Sequence, residues 1–301
     1  MKIKGLVAAV FSPMKQNGEV NPDQIKPIMD FLVKQNIQGI YVCGSTGEGP
    51  LLTLEERKII SRAYIEAAPE NVKVFVQVGD DCLKNSIKLA TFAAGLGADG
   101  ISALPPRYFA PKSVQDLVEC IREITTAIPN HPFYYYHLPL LSGVDFNMLE
   151  LLAIADREIP NFAGIKFTQN RYHEMMNCIN YKNGKYQIFH GSDENLVSGL
   201  ITGAKAAIGS TYNFAPRLYN EIIENFDQGN LEKARELQLL SVQLIDLLIS
   251  KYRGQPAFKG IMKLIGLDCG PNRLPLKTLS DRELLEMETD LKTCDYMKWI
   301  G

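Results

Sequence analysis

Hydrophobic positions along the chain follow two alternating rhythms. Short apolar runs of strand length recur at residues 5–10, 39–43, 72–78, 100–104, 133–136, 162–167, 187–190 and 206–208. Most are bounded by Gly, Pro, Asn or Asp, as buried strands are. Between them lie stretches whose apolar residues recur every three or four positions. Residues 23–34 place Ile25, Ile28, Met29 and Leu32 on one helical face. Residues 53–67 open with Thr53 and Glu56 in capping-box spacing. The same period predicts helices at 83–96, 113–127, 147–156, 171–181, 195–202 and 215–227.

Eight strands, each followed by a helix, is the count of a (β/α)8 TIM barrel, which typically takes ~250 residues. A doubly wound open sheet is the competing α/β arrangement, but the first strand–helix junction has no G-x-G-x-x-G. After Asp227 the alternation stops. Leu231, Ala234, Leu237, Leu240, Leu244 and Leu248 follow the spacing of one long helix, with shorter helices expected at 257–265 and 280–291. The expectation is a barrel domain of residues 1–227 and a C-terminal three-helix extension of residues 228–301.

Composition narrows the function. The 301 residues are 46% hydrophobic and 22% charged, with a net charge of −2 and no long run of either sign. Such a balance predicts neither a nucleic-acid nor an anionic-membrane partner. No stretch approaches the ~20 apolar residues of a membrane span. Six cysteines are scattered without a C-x-x-C pair, arguing against a zinc site and a disulfide framework and for reduced thiols in the cytoplasm. The apolar start, with Lys2 and Lys4, lacks a signal-peptide cleavage pattern and is read as the first strand.

The chemistry centres on Phe162-Ala163-Gly164-Ile165-Lys166-Phe167-Thr168. Lys166 sits inside an apolar strand, where an ammonium is costly unless it is paired or neutral. An ordinary lysine titrates near ~10.4, and serving as an amine at neutrality takes roughly 4 kcal/mol of differential stabilisation. The plainer alternative is a lysine at a strand end whose head reaches water. Gly44-Ser45-Thr46-Gly47-Glu48-Gly49 could grip a carboxylate with amides and hydroxyls, or be only a turn, and it lacks the Gly-Lys-Ser/Thr ending of a P-loop. Tyr134-Tyr135-Tyr136 places Tyr134 and Tyr136 on one strand face and Tyr135 on the other. A phenol facing a buried amine could shuttle protons; three tyrosines could equally be packing. Asp193-Glu194, after the seventh strand, could cap the next helix or accept hydrogen bonds from hydroxyls. His137, His173 and His190 lack metal-ligand spacing and are read as structural.

Taken together, Gly44-Ser45-Thr46-Gly47-Glu48, Tyr136-x-x-Pro139, Gly164-Ile165-Lys166, Gly191-x-Asp193-Glu194 and Gly209-Ser210-Thr211-Tyr212-Asn213 resemble the pyruvate-dependent lyase and synthase family. Its members include N-acetylneuraminate lyases and dihydrodipicolinate synthases, and the similarity runs through the whole chain in order. Ser45 stands where synthases typically carry threonine, and no arginine follows Pro139 in Leu140-Leu141-Ser142-Gly143, so the chain resembles the lyase branch.

That resemblance implies a class I aldolase acting on N-acetylneuraminate, with no metal or organic cofactor. Lys166 would form the Schiff base and Tyr136 would shuttle the proton. Ser45 and Thr46 would hold the substrate carboxylate, and Thr168, Gly191, Asp193, Glu194 and Ser210 would receive the polyol. It also implies a homotetramer, with Tyr108 the counterpart of a tyrosine that reaches the neighbouring subunit's site. Two alternatives stay open: another pyruvate-dependent aldolase or synthase, or a sugar-binding relative without turnover. The intact Lys166–Tyr136 pair is the feature that pure binding does not require.

Overall fold

The computed structural model describes residues 2–301 and shows eight parallel strands closed into a barrel in chain order. They are β1 (Gly5–Ala9), β2 (Gly39–Val42), β3 (Lys73–Gln77), β4 (Gly100–Ala103), β5 (Phe133–His137), β6 (Phe162–Phe167), β7 (Gln187–His190) and β8 (Ala206–Gly209). The last strand closes on the first, with Val7 opposite Ile208. Both faces of each strand are covered, which is why the strands read as nearly continuous apolar runs. Val7, Tyr41, Phe75, Tyr134, Tyr136, Phe189 and Ile208 cluster inside the barrel. Leu6, Ile40, Val42, Tyr135, Ile165 and Phe167 turn outward to the helices.

Strand period 2 dictates that division. It separates Tyr135 from Tyr134 and Tyr136, as the sequence predicts. Between Phe133 and Tyr134 the β5–β6 register shifts by one residue, setting Tyr134 opposite Gly164 and Tyr136 opposite Lys166. Gly164 is required there, since a Cβ would lie 1.8 Å from the Gln187 carbonyl oxygen. The glycine thus lets β6 and β7 approach while the register carries Lys166 to the inner face.

Around the barrel run α1 (Ile25–Lys34), α2 (Leu54–Ala67), α3 (Leu83–Gly95), α4 (Val114–Thr126), the single turn α5 (Pro139–Ser142), α6 (Met148–Glu158), α7 (Tyr172–Asn180), α8 (Leu196–Ile201) and α9 (Pro216–Asp227). The expected capping box is present: Thr53 accepts from the Glu56 amide while Glu56 reaches back to the Thr53 amide. Ser113 and Asp116 form another. The turn α5 has no hydrophobic period to announce it; Pro139 starts it and left-handed Gly143 ends it.

The tail comprises α10 (Leu231–Tyr252), α11 (Gln255–Leu264) and α12 (Asp281–Thr293). α11 begins two residues before its expected start, with Pro256 in its first turn. α10 packs along α9 and α8. Leu237, Leu244, Leu248 and Phe258 share one apolar cluster with the barrel's outer shell. The tail is therefore fixed against the barrel and reaches the end at which its strands finish. No helix among the described residues is long and apolar enough to cross a membrane.

Candidate active site

Lys166 and Tyr136 project side by side from neighbouring strands. Lys166 Nζ lies 4.0 Å from the centre of the Tyr136 ring and 4.4 Å from that of Tyr41. The Tyr41 ring stands edge-on to Tyr136, and its hydroxyl donates to Ser102 Oγ at 2.9 Å. Lys166 is 4% exposed, and another lysine, Lys259, is as deeply buried at 3%. They solve the burial problem differently. Lys259 pairs with the Glu48 carboxylate at 2.6 Å. Lys166 forms no salt bridge among the described residues and faces two aromatic rings, which offer weaker electrostatic support than a carboxylate. A buried amine without a counter-ion is the arrangement a nucleophilic lysine needs.

The loop after β2 borders Tyr136, with Ser45 Oγ 3.5 Å from its phenolic oxygen. Gly49 and Glu48 donate their amides back to Gly44 and Ser45, so the segment is indeed a tight turn. Its closeness requires glycine: a Cβ on Gly49 would fall 1.9 Å from the Cys43 carbonyl oxygen. The amides of Ser45, Thr46 and Gly47 donate to no backbone carbonyl among the described residues. Turn and anion cradle are thus compatible, since the turn leaves successive donors free.

Opposite this loop, Asp193 comes from the segment after β7 and Ser210–Thr211 from the segment after β8. Asp193 Oδ2 accepts from the Thr211 amide at 2.9 Å, from Thr211 Oγ1 at 2.6 Å and from Ser210 Oγ at 3.4 Å. A Cβ on Gly209 would strike this carboxylate at 1.8 Å, so the glycine makes the junction possible. Burial raises the Asp193 carboxyl above its ordinary range, outweighing the pull of Thr211 and of the Lys166 charge. Glu194 is exposed at the rim. Its carboxyl is also raised, chiefly because protein displaces water around it, with Asp193 and Asp246 adding like charge.

These groups enclose a cleft of about 240 Å³. Ser45, Thr46, Tyr136, Lys166, Gly191, Asp193, Glu194 and Ser210 all line it. Thr168 does not. Its hydroxyl is buried without a partner behind Gly191, where a glycine Cβ would sit 2.0 Å from it. Lys166 is the one cationic side chain in the lining, and Leu141 occupies the stretch after Pro139.

The sequence pattern missed the far wall. Ile245 and Ile249 of α10 and Gln255 and Phe258 of α11 line the cleft. Exposure does not mark them out either: Ile249 is 56% exposed, but Leu231 and Leu239 on the same helix are equally open. His137 and His190 turn outward and stay apart from the cleft. Burial pushes His137 down from its ordinary value and His190 down to about 4. Tyr108 and Phe109, after β4, stack edge-on and are 84% and 86% exposed.

Comparison with known proteins bears on the family and the fold. Residues 2–294 match the model of the dihydrodipicolinate synthetase family. N-acetylneuraminate lyase A of Xenopus laevis is 38% identical over 279 residues, 91% of each chain. The N-acetylneuraminate lyase of Rattus norvegicus is 36% identical over 304 residues, covering all of this chain and 95% of that one. The solved N-acetylneuraminate lyase of Proteus mirabilis superposes with a TM-score of 0.94 at 34% identity, covering 98% of this chain and 99% of that one.

Proposed function

The chain belongs to the dihydrodipicolinate synthetase family, and from that premise we propose that it is a Schiff-base aldolase reversibly cleaving N-acetylneuraminate to N-acetylmannosamine and pyruvate. The observation that carries the reading is Lys166, buried without a counter-ion beside the Tyr136 phenol in a cleft lined by two carboxylates and no other cation.

In the cleavage direction the Lys166 amine attacks the C2 ketone of the open-chain sugar acid. Water leaves, and a protonated imine links C2 to Nζ. The free amides of Ser45 and Thr46, with the Ser45 hydroxyl, hold the substrate carboxylate beside the imine. Tyr136, acting with that carboxylate, takes the proton from the C4 hydroxyl as the C3–C4 bond breaks. The bonding pair moves into the imine and leaves a pyruvate enamine, while C4 becomes the aldehyde of N-acetylmannosamine. Protonation at C3 and hydrolysis release pyruvate and restore the amine. The iminium itself is the electron sink, so the sequence of steps asks for no metal or organic cofactor.

The polyol side is set by Glu194, Ser210 and Gly191, with Asp193 acting partly through its hold on Ser210 and Thr211. Thr168, whose hydroxyl packs unpartnered against Gly191, stands beside this group. Acceptors of this kind suit a neutral chain of hydroxyls and disfavour an anionic second substrate. We place the protein in the cytoplasm, consistent with six free cysteines, and as a homotetramer whose contacts include the exposed Tyr108–Phe109 pair. Incubation with N-acetylneuraminate should release pyruvate and N-acetylmannosamine in equal amounts; no pyruvate at any substrate concentration would refute the assignment.

A further inference from the structure

Glu48 closes the carboxylate-binding loop yet has no place in the chemistry above. Its side chain is fully buried and absent from the cleft lining, so it touches no substrate. Its partners all come from the C-terminal tail. Oε1 is 2.6 Å from Lys259 Nζ and accepts from Asn272 Nδ2 at 3.1 Å; Oε2 accepts from the Arg273 amide at 2.8 Å. Lys259 also donates to the Pro271 carbonyl at 2.9 Å, tying α11 to the segment that follows it. Two residues earlier in the same loop, the Thr46 carbonyl accepts from Gln255 at the start of α11.

The tail therefore grips the loop on both sides of Gly47. A buried ion pair is a weak source of net stability, because desolvation offsets most of its attraction. What such a pair does well is fix geometry. Glu48 adopts a left-handed conformation at φ 53°, and its position fixes where the turn closes and where the amides of Ser45, Thr46 and Gly47 point.

We propose that the C-terminal tail is the positioning element of the carboxylate cradle: Lys259 through Glu48, and Gln255 through Thr46, confer preference for 2-oxo acids over ketones without a carboxylate. The proposal rests on the Schiff-base reading. It assigns Glu48 and Lys259 as positioning residues and gives Gln255, which also lines the cleft, a positioning role through the Thr46 carbonyl, and it makes the tail part of the site as well as of the fold.

The test compares borohydride trapping of pyruvate with that of hydroxyacetone, a neutral ketone of similar size, in the full-length protein. Wild type should trap pyruvate far faster. In the double variant Glu48→Gln/Lys259→Met, which leaves no unpaired charge, that preference should fall by roughly 10–100-fold, the range expected when one charge-assisted hydrogen bond is lost. Hydroxyacetone trapping should stay near the wild-type rate. Gln255→Leu leaves the ion pair intact and should lower the preference in the same sense, so it carries the test if the double variant does not fold. A merely structural role would slow both ketones alike, and that result, or an unchanged ratio in Gln255→Leu, would overturn the proposal. A wild-type protein trapping neither ketone would remove the Schiff-base reading, and this inference with it.

Discussion

Tyr136 and Lys166 are register partners on β5 and β6, and the one-residue shift at Phe133–Tyr134 is what makes them so. The phenol and amine are thus held by backbone pairing, with the ring centre 4.0 Å from Nζ. Sites mounted on strands keep their geometry better than sites on loops. This pairing leads to the first expectation. Tyr136→Phe removes one oxygen and little packing, and turnover should fall ~10²–10⁴-fold, the usual worth of a positioned acid–base group. Tyr135→Phe, on the outer face, should change turnover far less. Steady-state kinetics of the two variants decide the matter; equal losses would mean that the inner-face phenol has no special role.

Substrate choice supplies a second expectation. With Lys166 the one basic side chain in the lining, Asp193 buried in its wall and Glu194 at the rim, aspartate semialdehyde has no partner for its own carboxylate. N-acetylmannosamine should condense with pyruvate, and aspartate semialdehyde should give little product. Glu194→Ala should cost about 1.5–3 kcal/mol in kcat/KM for the sugar, the range for losing a hydrogen bond to a charged group. Imine formation with pyruvate should be nearly unchanged in that variant. Efficient use of the semialdehyde would reassign the chain to synthase chemistry.

Acid stability gives a third. His190 is fully buried and pushed down to about 4 by burial, against ~6.5 in an unfolded chain. Between those values the unfolded state binds the proton and the folded state does not, so stability falls as pH falls. The contribution should be about 2 kcal/mol between pH 7 and 5. Buried Asp193 works in the opposite sense, because its raised carboxyl binds a proton more readily when folded. Urea titrations at the two pH values should show His190→Gln losing less stability on acidification than wild type. A variant with the same acid dependence would place the effect elsewhere.

Much of this architecture was legible in the chain because each strand is buried on both faces and each helix on one. β6 and β7 fall where the apolar runs place them, and Thr53 and Glu56 mark the start of α2 without help from tertiary contacts. Tyr135 could be separated from Tyr136 because strand period is a local property. The inner wall was harder to foresee. Ile245, Gln255 and Phe258 reach the cleft only through the angle at which the tail lies across the barrel, which no local period encodes. The register shift between β5 and β6 was equally invisible, since it depends on which residue of a neighbouring strand each one meets. Thr168 illustrates the reverse case. The resemblance implies a polyol-binding hydroxyl one residue past the end of β6, and that hydroxyl lies buried and without a partner against Gly191, outside the cleft lining.

Lys166 forming a covalent imine with pyruvate underlies every step of the proposed chemistry. The direct measurement is reduction of the protein with borohydride in the presence of pyruvate, followed by intact-mass analysis and peptide mapping. One reduced pyruvate-derived adduct should appear on Lys166 with full loss of activity, and Lys166→Ala should take up none. Labelling at Lys259 or at a surface lysine instead, or an unmodified and inactive wild-type protein, would contradict the assignment.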